Sequence, residues 1–346
     1  MAFKINGVTV LDDNREVTVN GIAATANDRV FVGVTATNSP TSVLSPSIFQ
    51  GSVSGYTSGG GLTIDKFPFT ADTNATDVGD LTNSRSPSAG QSSSTHGYNS
   101  GGYIPPATNR STIDKFPFST DTNASGSSNL TVARYGAAGQ SSATHGYSSG
   151  GYVPPVYSNI IDKFPFAVDD NATDVGNLTQ GRVYINGTAQ SSATHGYTSG
   201  GIVPPGVTGT NVIDKFPFAS DTNATDVGDL AVTTLHNAGQ SSTTDGYTSG
   251  GQTSPPPVNV NSIQKFPFSS DTNASDIGDL SQTRSVSAGQ SSTVSGYTSG
   301  GFFTPPPANL NTIDKFPFSS DTNASDVGDL TQARAGVAGQ QARTIQ

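Results

Sequence analysis

Three histidines, His96, His145 and His195, stand at one place in a repeated phrase, directly before a Gly-Tyr pair; the next two copies carry Asp245 and Ser295 there. A zinc centre needs a compact set of converging ligands. Side chains on successive repeats lie along an arc instead, so a tolerant turn position is the better reading than a metal ring. His236 stands apart, and the sequence sets no nucleophile beside any of the four. The second candidate chemistry is calcium. Asp72-Thr73-Asn74-Ala75-Thr76-Asp77-Val78-Gly79-Asp80 offers oxygen ligands at alternating positions, as calcium loops do. Its glycine falls two places later than an EF-hand requires, no glutamate closes the loop, and the copy at Asp121 to Asn129 loses the pattern. An Asx turn that satisfies its own backbone explains the same residues without an ion. No cofactor is therefore expected, with calcium at the Asp-Thr-Asn turns as the alternative.

The remaining polar residues recur too evenly to mark a site. Asp65-Lys66, Asp114-Lys115, Asp162-Lys163, Asp214-Lys215 and Asp314-Lys315 repeat, and Gln264 breaks the set. Neighbours in a strand point to opposite faces, so Asp and Lys are not each other's partners. Each lysine is expected to reach an acidic group or carbonyl in the next unit. Arg85, Arg134, Arg182, Arg284 and Arg334 follow a leucine by four residues, and Thr234 replaces the missing arginine. They too read as links between units. Tyr56, Tyr98, Tyr147, Tyr197, Tyr247 and Tyr297 could stack on sugars, but equivalence in every copy points to packing with the hydroxyl finding a partner.

The elements that hold these residues follow from a strict period. A Gly-Tyr phrase starts at Gly55, Gly97, Gly146, Gly196, Gly246 and Gly296, and Lys-Phe-Pro-Phe starts at Lys66, Lys115, Lys163, Lys215, Lys265 and Lys315. A repeat near 50 residues means a propeller, a solenoid or an array. One unit, Arg284 to Arg334, holds a small polar strand around Gln290, a strand at Gly296 to Gly301, a Pro-rich loop, an alternating strand at Thr312 to Phe318, an Asx turn and a strand at Val327 to Leu330. Alternation puts Ile313 and Lys315 on one face and Asp314, Phe316 and Phe318 on the other. Four short antiparallel strands make one propeller blade. The expected fold is all-β, a six-bladed propeller over residues 47–346. The C-terminal copy Ala338-Gly339-Gln340-Gln341 lacks a following Gly-Tyr strand, and the first Gly-Tyr strand lacks a full preceding copy. The two ends should therefore share a blade, with Gly336 to Gln341 beside Gly55 to Ser58. Ile48 to Ser52 is the competing occupant of that slot.

The order of arginine, small strand, Tyr-x-x-Gly-Gly, loop, hydrophobic strand, turn and leucine resembles a kelch repeat over most of the chain. It departs from that pattern in lacking tryptophan and in carrying Lys-Phe-Pro-Phe where Tyr-Asp is common. The wording around Lys-Phe-Pro-Phe and Asp-Thr-Asn-Ala also resembles repeat proteins of tailed bacteriophages, particularly cyanophages. That resemblance implies a virion protein of a tail fibre, neck or surface appendage, made in the host cytoplasm and carried on the particle.

The composition limits the alternatives. A formal charge of −10 disfavours nucleic acid, which needs a basic face. No apolar run approaches the ~20 residues of a membrane span, so no membrane insertion is expected, and no signal peptide is read at the start. Without cysteine, disulfides and thiolate chemistry are excluded, as is the cysteine-linked tyrosine of kelch-type copper oxidases. Paired acids across a cleft, which a glycan hydrolase would need, are not identifiable either, and the protein is read as non-enzymatic. Residues 1–46 lie outside the repeat. Phe3 to Leu11 and Arg15 to Val19 alternate like two strands around Asp12-Asp13-Asn14, and Arg29 to Val34 adds a third. So small a sheet wants a partner surface. It is read as an element attaching to other virion proteins or making a homo-oligomer, with packing on its own propeller as the alternative.

Recognition is then expected where the units differ. The loops beginning at Tyr103, Tyr152, Ile202, Gln252 and Phe302 vary in length and apolar content, and loops on a rigid scaffold carry binding. Phe302-Phe303 reads as an exposed pair at a loop tip, costly unless covered by a partner or a neighbouring blade. A host-surface glycan or protein is the expected ligand, and purely structural decoration is the alternative.

Overall fold

The computed structural model describes residues 50–343 apart from 107, 184–188, 206–207 and 255, and the backbone of five short strands before residue 33. The chain divides into two compact units, Met1–Pro46 and Ser47–Gln346. In the first, Phe3–Ile5 pairs antiparallel with Val8–Leu11, and Val17–Val19, Ile22–Ala24 and Val30–Val32 form a three-stranded sheet. The long first strand expected over Phe3 to Leu11 is thus two strands, and the second gains a partner. Asn-Gly separates the strands in both cases, a strong hairpin signal that outweighs the continuous alternation.

The second unit repeats one sheet. In blade 5, Ala288–Ser291, Ser295–Ser299, Thr312–Pro317 and Ser325–Asp329 pair antiparallel in chain order. Blades 1 to 4 begin at Ala89, Ala138, Ala189 and Ala238 and follow the same order. In the sixth sheet, Val337–Ala342 takes the inner place beside Ser54–Gly59, with Gly61–Pro68 and Thr76–Arg85 outside it. The register sets Ala338 against Ser58 and Gln341 against Gly55, so the C-terminal strand closes the ring. Gln50 and Gly51 do not fill that slot. Gly51 donates to the Ser291 carbonyl and Ser52 to that of Ala342, which leaves residues 50–52 across the blade 5 and 6 joint, beside the axis.

Both faces of every blade are buried. Tyr297, Ile313 and Leu330 of blade 5 pack on Phe67 and Ala75 of blade 6, while Phe316 points the other way into Tyr247, Ile263 and Leu280 of blade 4. The expected alternation of the third strand is what produces this, because one strand must serve two joints. Each such side chain contributes about 1.5–3 kcal/mol by leaving water. The glycine of the Gly-Tyr phrase has a steric reason: Gly296 pairs with Phe316, whose ring lies where a Cβ would be, 2.3 Å away. At the axis the inner strands are closer still. A Cβ on Gly289 would sit 2.1 Å from the Gly239 carbonyl oxygen, and one on Gly339 would sit 2.0 Å from that of Gly289. The channel they leave is narrow, about 50 Å³. The unit is a six-bladed β-propeller closed by strands from both of its ends.

Candidate functional site: the hairpin face

The repeated polar residues join blades. Each lysine of the third strand pairs with the turn aspartate of the next blade, from Lys66–Asp121 at 3.0 Å around to Lys315–Asp72 at 2.8 Å. These outer pairs are partly exposed, and such pairs contribute about 0–1 kcal/mol. The turn asparagines accept from the preceding blade, as Asn74 does from the Asp329 amide at 3.1 Å. The Asp-Thr-Asn turn therefore satisfies its neighbour's backbone rather than only its own. Inside, each glutamine of the inner strand donates to the tyrosine carbonyl of the following blade, as Gln290 does to Tyr56 and Gln340 to Tyr98.

Between these layers lies a buried ion pair: Arg85–Asp114, Arg134–Asp162, Arg182–Asp214, Arg284–Asp314 and Arg334–Asp65, at 2.5 to 3.1 Å. Burial lowers each guanidinium pKa and the facing carboxylate opposes it. The carboxylate also accepts from the residue after the leucine, as Asp114 does from the amide and hydroxyl of Thr82. Where blade 3 meets blade 4, all three members change together to Thr234, Gln264 and Ala231. Gln264 Oε1 then accepts from the Val232 amide at 2.9 Å, and Asn237 donates to the Thr234 hydroxyl at 2.6 Å.

The repeated tyrosines are 1–2% exposed, which removes them as sugar platforms. Burial raises the Tyr98 hydroxyl to about 12 against a hydrogen bond with Ser93, and the same holds for Tyr147, Tyr197, Tyr247 and Tyr297 with their own serines. His96, His145 and His195 open the second strands, each with Nδ1 2.8 Å from the hydroxyl of the preceding threonine. Among the described residues no three His, Asp or Glu side chains gather as a metal would require.

What remains are the segments between second and third strands, on the face opposite Gln50. They are short hairpins in five blades, Tyr103–Ile104 with Thr108–Asn109 being the first; blade 6 passes straight through Gly59, Gly60 and Gly61. The hairpins are seated on the ring. Tyr152 exchanges backbone hydrogen bonds with Tyr135 of the preceding connector, Ile202 with Val183, Gln252 with Leu235 and Phe302 with Ser285. Phe302 and Phe303 are consequently half-buried. The expected exposed pair at a loop tip is corrected: both lie in a strand, and Pro305 to Pro307 form the turn. Ile202 is buried with Val183 and Leu235, because its connector partner covers it.

A different aromatic group emerges over blades 1 and 2. The Tyr103 and Tyr135 rings are 5.6 Å apart, Tyr135 and Tyr152 5.5 Å, and Tyr152 and Tyr157 5.6 Å. All four are half-buried and Val156 beside them is 60% exposed. Tyr103, Tyr152 and Tyr157 lie in the loops the sequence marks for recognition, whereas Tyr135 lies outside them. The signal for Tyr135 was its place: the corresponding connector residues are Val183, Leu235 and Ser285, so a tyrosine there departs from the repeat. Comparison of the chain with protein families and with curated proteins returns no match. The class defined by fold and surface is a six-bladed β-propeller with a tyrosine-lined hairpin face.

Proposed function

We propose that the protein is a non-enzymatic binding module of a tailed-phage particle, a tail-fibre, neck or surface appendage presenting the hairpin face to a host-surface glycan or protein. The observation that carries the binding role is the Tyr103–Tyr135–Tyr152–Tyr157 row. These rings are half-exposed and confined to two blades, whereas the six repeated tyrosines are packed between blades. Tyrosine supplies a flat apolar body with a polar tip, suited to sugars and to peptide surfaces alike. The phage setting rests on the resemblance of the Lys-Phe-Pro-Phe and Asp-Thr-Asn-Ala phrases to phage repeat proteins. Residues 1–46, outside the repeat, are assigned to attachment on other virion proteins.

Binding of the purified chain to cyanobacterial cells and to a glycan array tests the reading. Tyr103→Ala with Tyr157→Ala should weaken binding about tenfold or more, as loss of aromatic hot spots does, with melting unchanged. Equal binding by the variant would overturn the site. Particles retaining full occupancy of a chain starting at Ser47 would overturn the attachment role.

A further inference from the structure

Blade 6 differs from the other blades because no turn links its two innermost strands. Elsewhere a turn such as Ser93 to Thr95 joins the inner strand to the second, and its first serine stands by the tyrosine hydroxyl. At the seam those strands are Val337–Ala342 and Ser54–Gly59, drawn from opposite parts of the chain. Ala342 occupies the place of Ser93, Ser142, Ser192, Ser242 and Ser292. Tyr56 is 1% exposed, and no such serine stands by its hydroxyl.

Tyr56 lines a cavity of about 380 Å³, within the usual range for small-molecule sites. Val53, Phe118 and Ala342 supply apolar wall, while Lys66, His96 and Arg343 stand at its edge. Lys66 lies 5.9 Å from the Tyr56 ring centroid and pairs with Asp121. Arg343 makes no ion pair with any described residue. The corresponding groove at the blade 4 and 5 joint, about 270 Å³, is lined by Ser242, Thr243, Thr244, Thr293, Val294, Phe318 and Ser319, and no cation or tyrosine lines it.

We infer that the seam cavity is a binding site for a small aromatic carboxylate. Its ring lies against Phe118 and Val53, and its carboxylate accepts from the Tyr56 hydroxyl and the Arg343 guanidinium. The carboxylate takes the place that a serine oxygen fills in the other blades, so the ligand completes the repeat in blade 6, where no turn joins the two innermost strands. The inference is independent of the phage setting and of the hairpin face.

The probe is 1-naphthoate, with 1-naphthalenemethanol as its uncharged counterpart, titrated by calorimetry into the full chain. Naphthoate should bind one site per chain, and the alcohol at least tenfold more weakly. Ala342→Ser restores the residue found in the five other blades, so it should fold normally; by partnering Tyr56 it should weaken naphthoate binding about tenfold, the scale of one charge-assisted hydrogen bond. Arg343→Gln should weaken it similarly while leaving the alcohol unaffected. No saturable binding at millimolar naphthoate would overturn the site. So would equal affinity for acid and alcohol, or binding untouched by both variants.

Discussion

At the scale of single residues, the joint between blades 3 and 4 isolates the buried ion pair. One buried charge without its partner costs several kcal/mol, whereas a neutral replacement of the whole set is tolerated. Gln264→Asp alone should therefore destabilise the propeller by about 3–5 kcal/mol, since Thr234 and Ala231 offer it no cation. Adding Thr234→Arg should recover most of that loss in chemical denaturation, and a double variant no better than Gln264→Asp would show that the pairing geometry is not transferable. Histidine supplies a second test. Burial lowers the His236 pKa to about 4, and lowers those of His96, His145 and His195. A depressed folded pKa means that the unfolded chain binds protons more readily, so stability is complete above the ordinary histidine range near 6.5 and falls as pH drops towards 4. Melting should be lower at pH 5 than at pH 7. His236 also sits at φ 62, where Gly136 and Gly336 stand in other connectors. His236→Gly should relieve both constraints, flattening the pH dependence; a profile unchanged from the parent would locate the titration elsewhere.

The inner strand is the element with least room. Ala-Gly-Gln-Ser brings its glycine against a neighbouring backbone carbonyl, which is nearer than any side chain and has no freedom to yield. Gly289→Ala should destabilise by a few kcal/mol, in the range of overpacked cores. Blade 3 already carries Ala189 at this position, so Ala189→Gly should change melting far less than Gly289→Ala. Equal effects would mean that the strands can spread at little cost. The hairpins illustrate the opposite case. Their varied residues were expected to carry recognition, but in four of the five hairpins the first strand exchanges backbone hydrogen bonds with the connector before it, and Tyr152 and Phe302 are half-buried.

At the scale of the whole ring, one strand does the closing. Val337–Ala342 supplies six residues of pairing to Ser54–Gly59, and Gln340 and Arg334 reach Tyr98 and Asp65 across the same region. Removing residues 335–346 exposes the edge of Ser54–Gly59 and the inner face of blade 1, and unpaired edges invite aggregation. The truncated chain should melt well below the parent or become insoluble. Full solubility with unchanged melting would mean that the seam contributes nothing to closure.

Period, blade count and closure were legible in the sequence because they depend on counting: six Gly-Tyr strands, six Lys-Phe-Pro-Phe strands and an unmatched copy at each end. The roles of lysine, arginine and tyrosine followed from their even recurrence, since a position alike in every unit must serve the contact that every unit makes. Alternation in the third strand likewise told which face Ile313 and Phe316 would take. Distances across joints were not legible. That Thr234, Gln264 and Ala231 form one replaced set appears only when blades 3 and 4 are set side by side, because the three lie up to 33 residues apart in the chain. The tyrosine row joins Tyr103, Tyr135, Tyr152 and Tyr157 through hairpin seating, which depends on backbone bonds between units. Tyr56 lacks a neighbouring serine because closure brings strands from opposite parts of the chain together without a turn. Local pattern determines which strands form, whereas the fit of one blade against the next decides which side chains are left for a ligand.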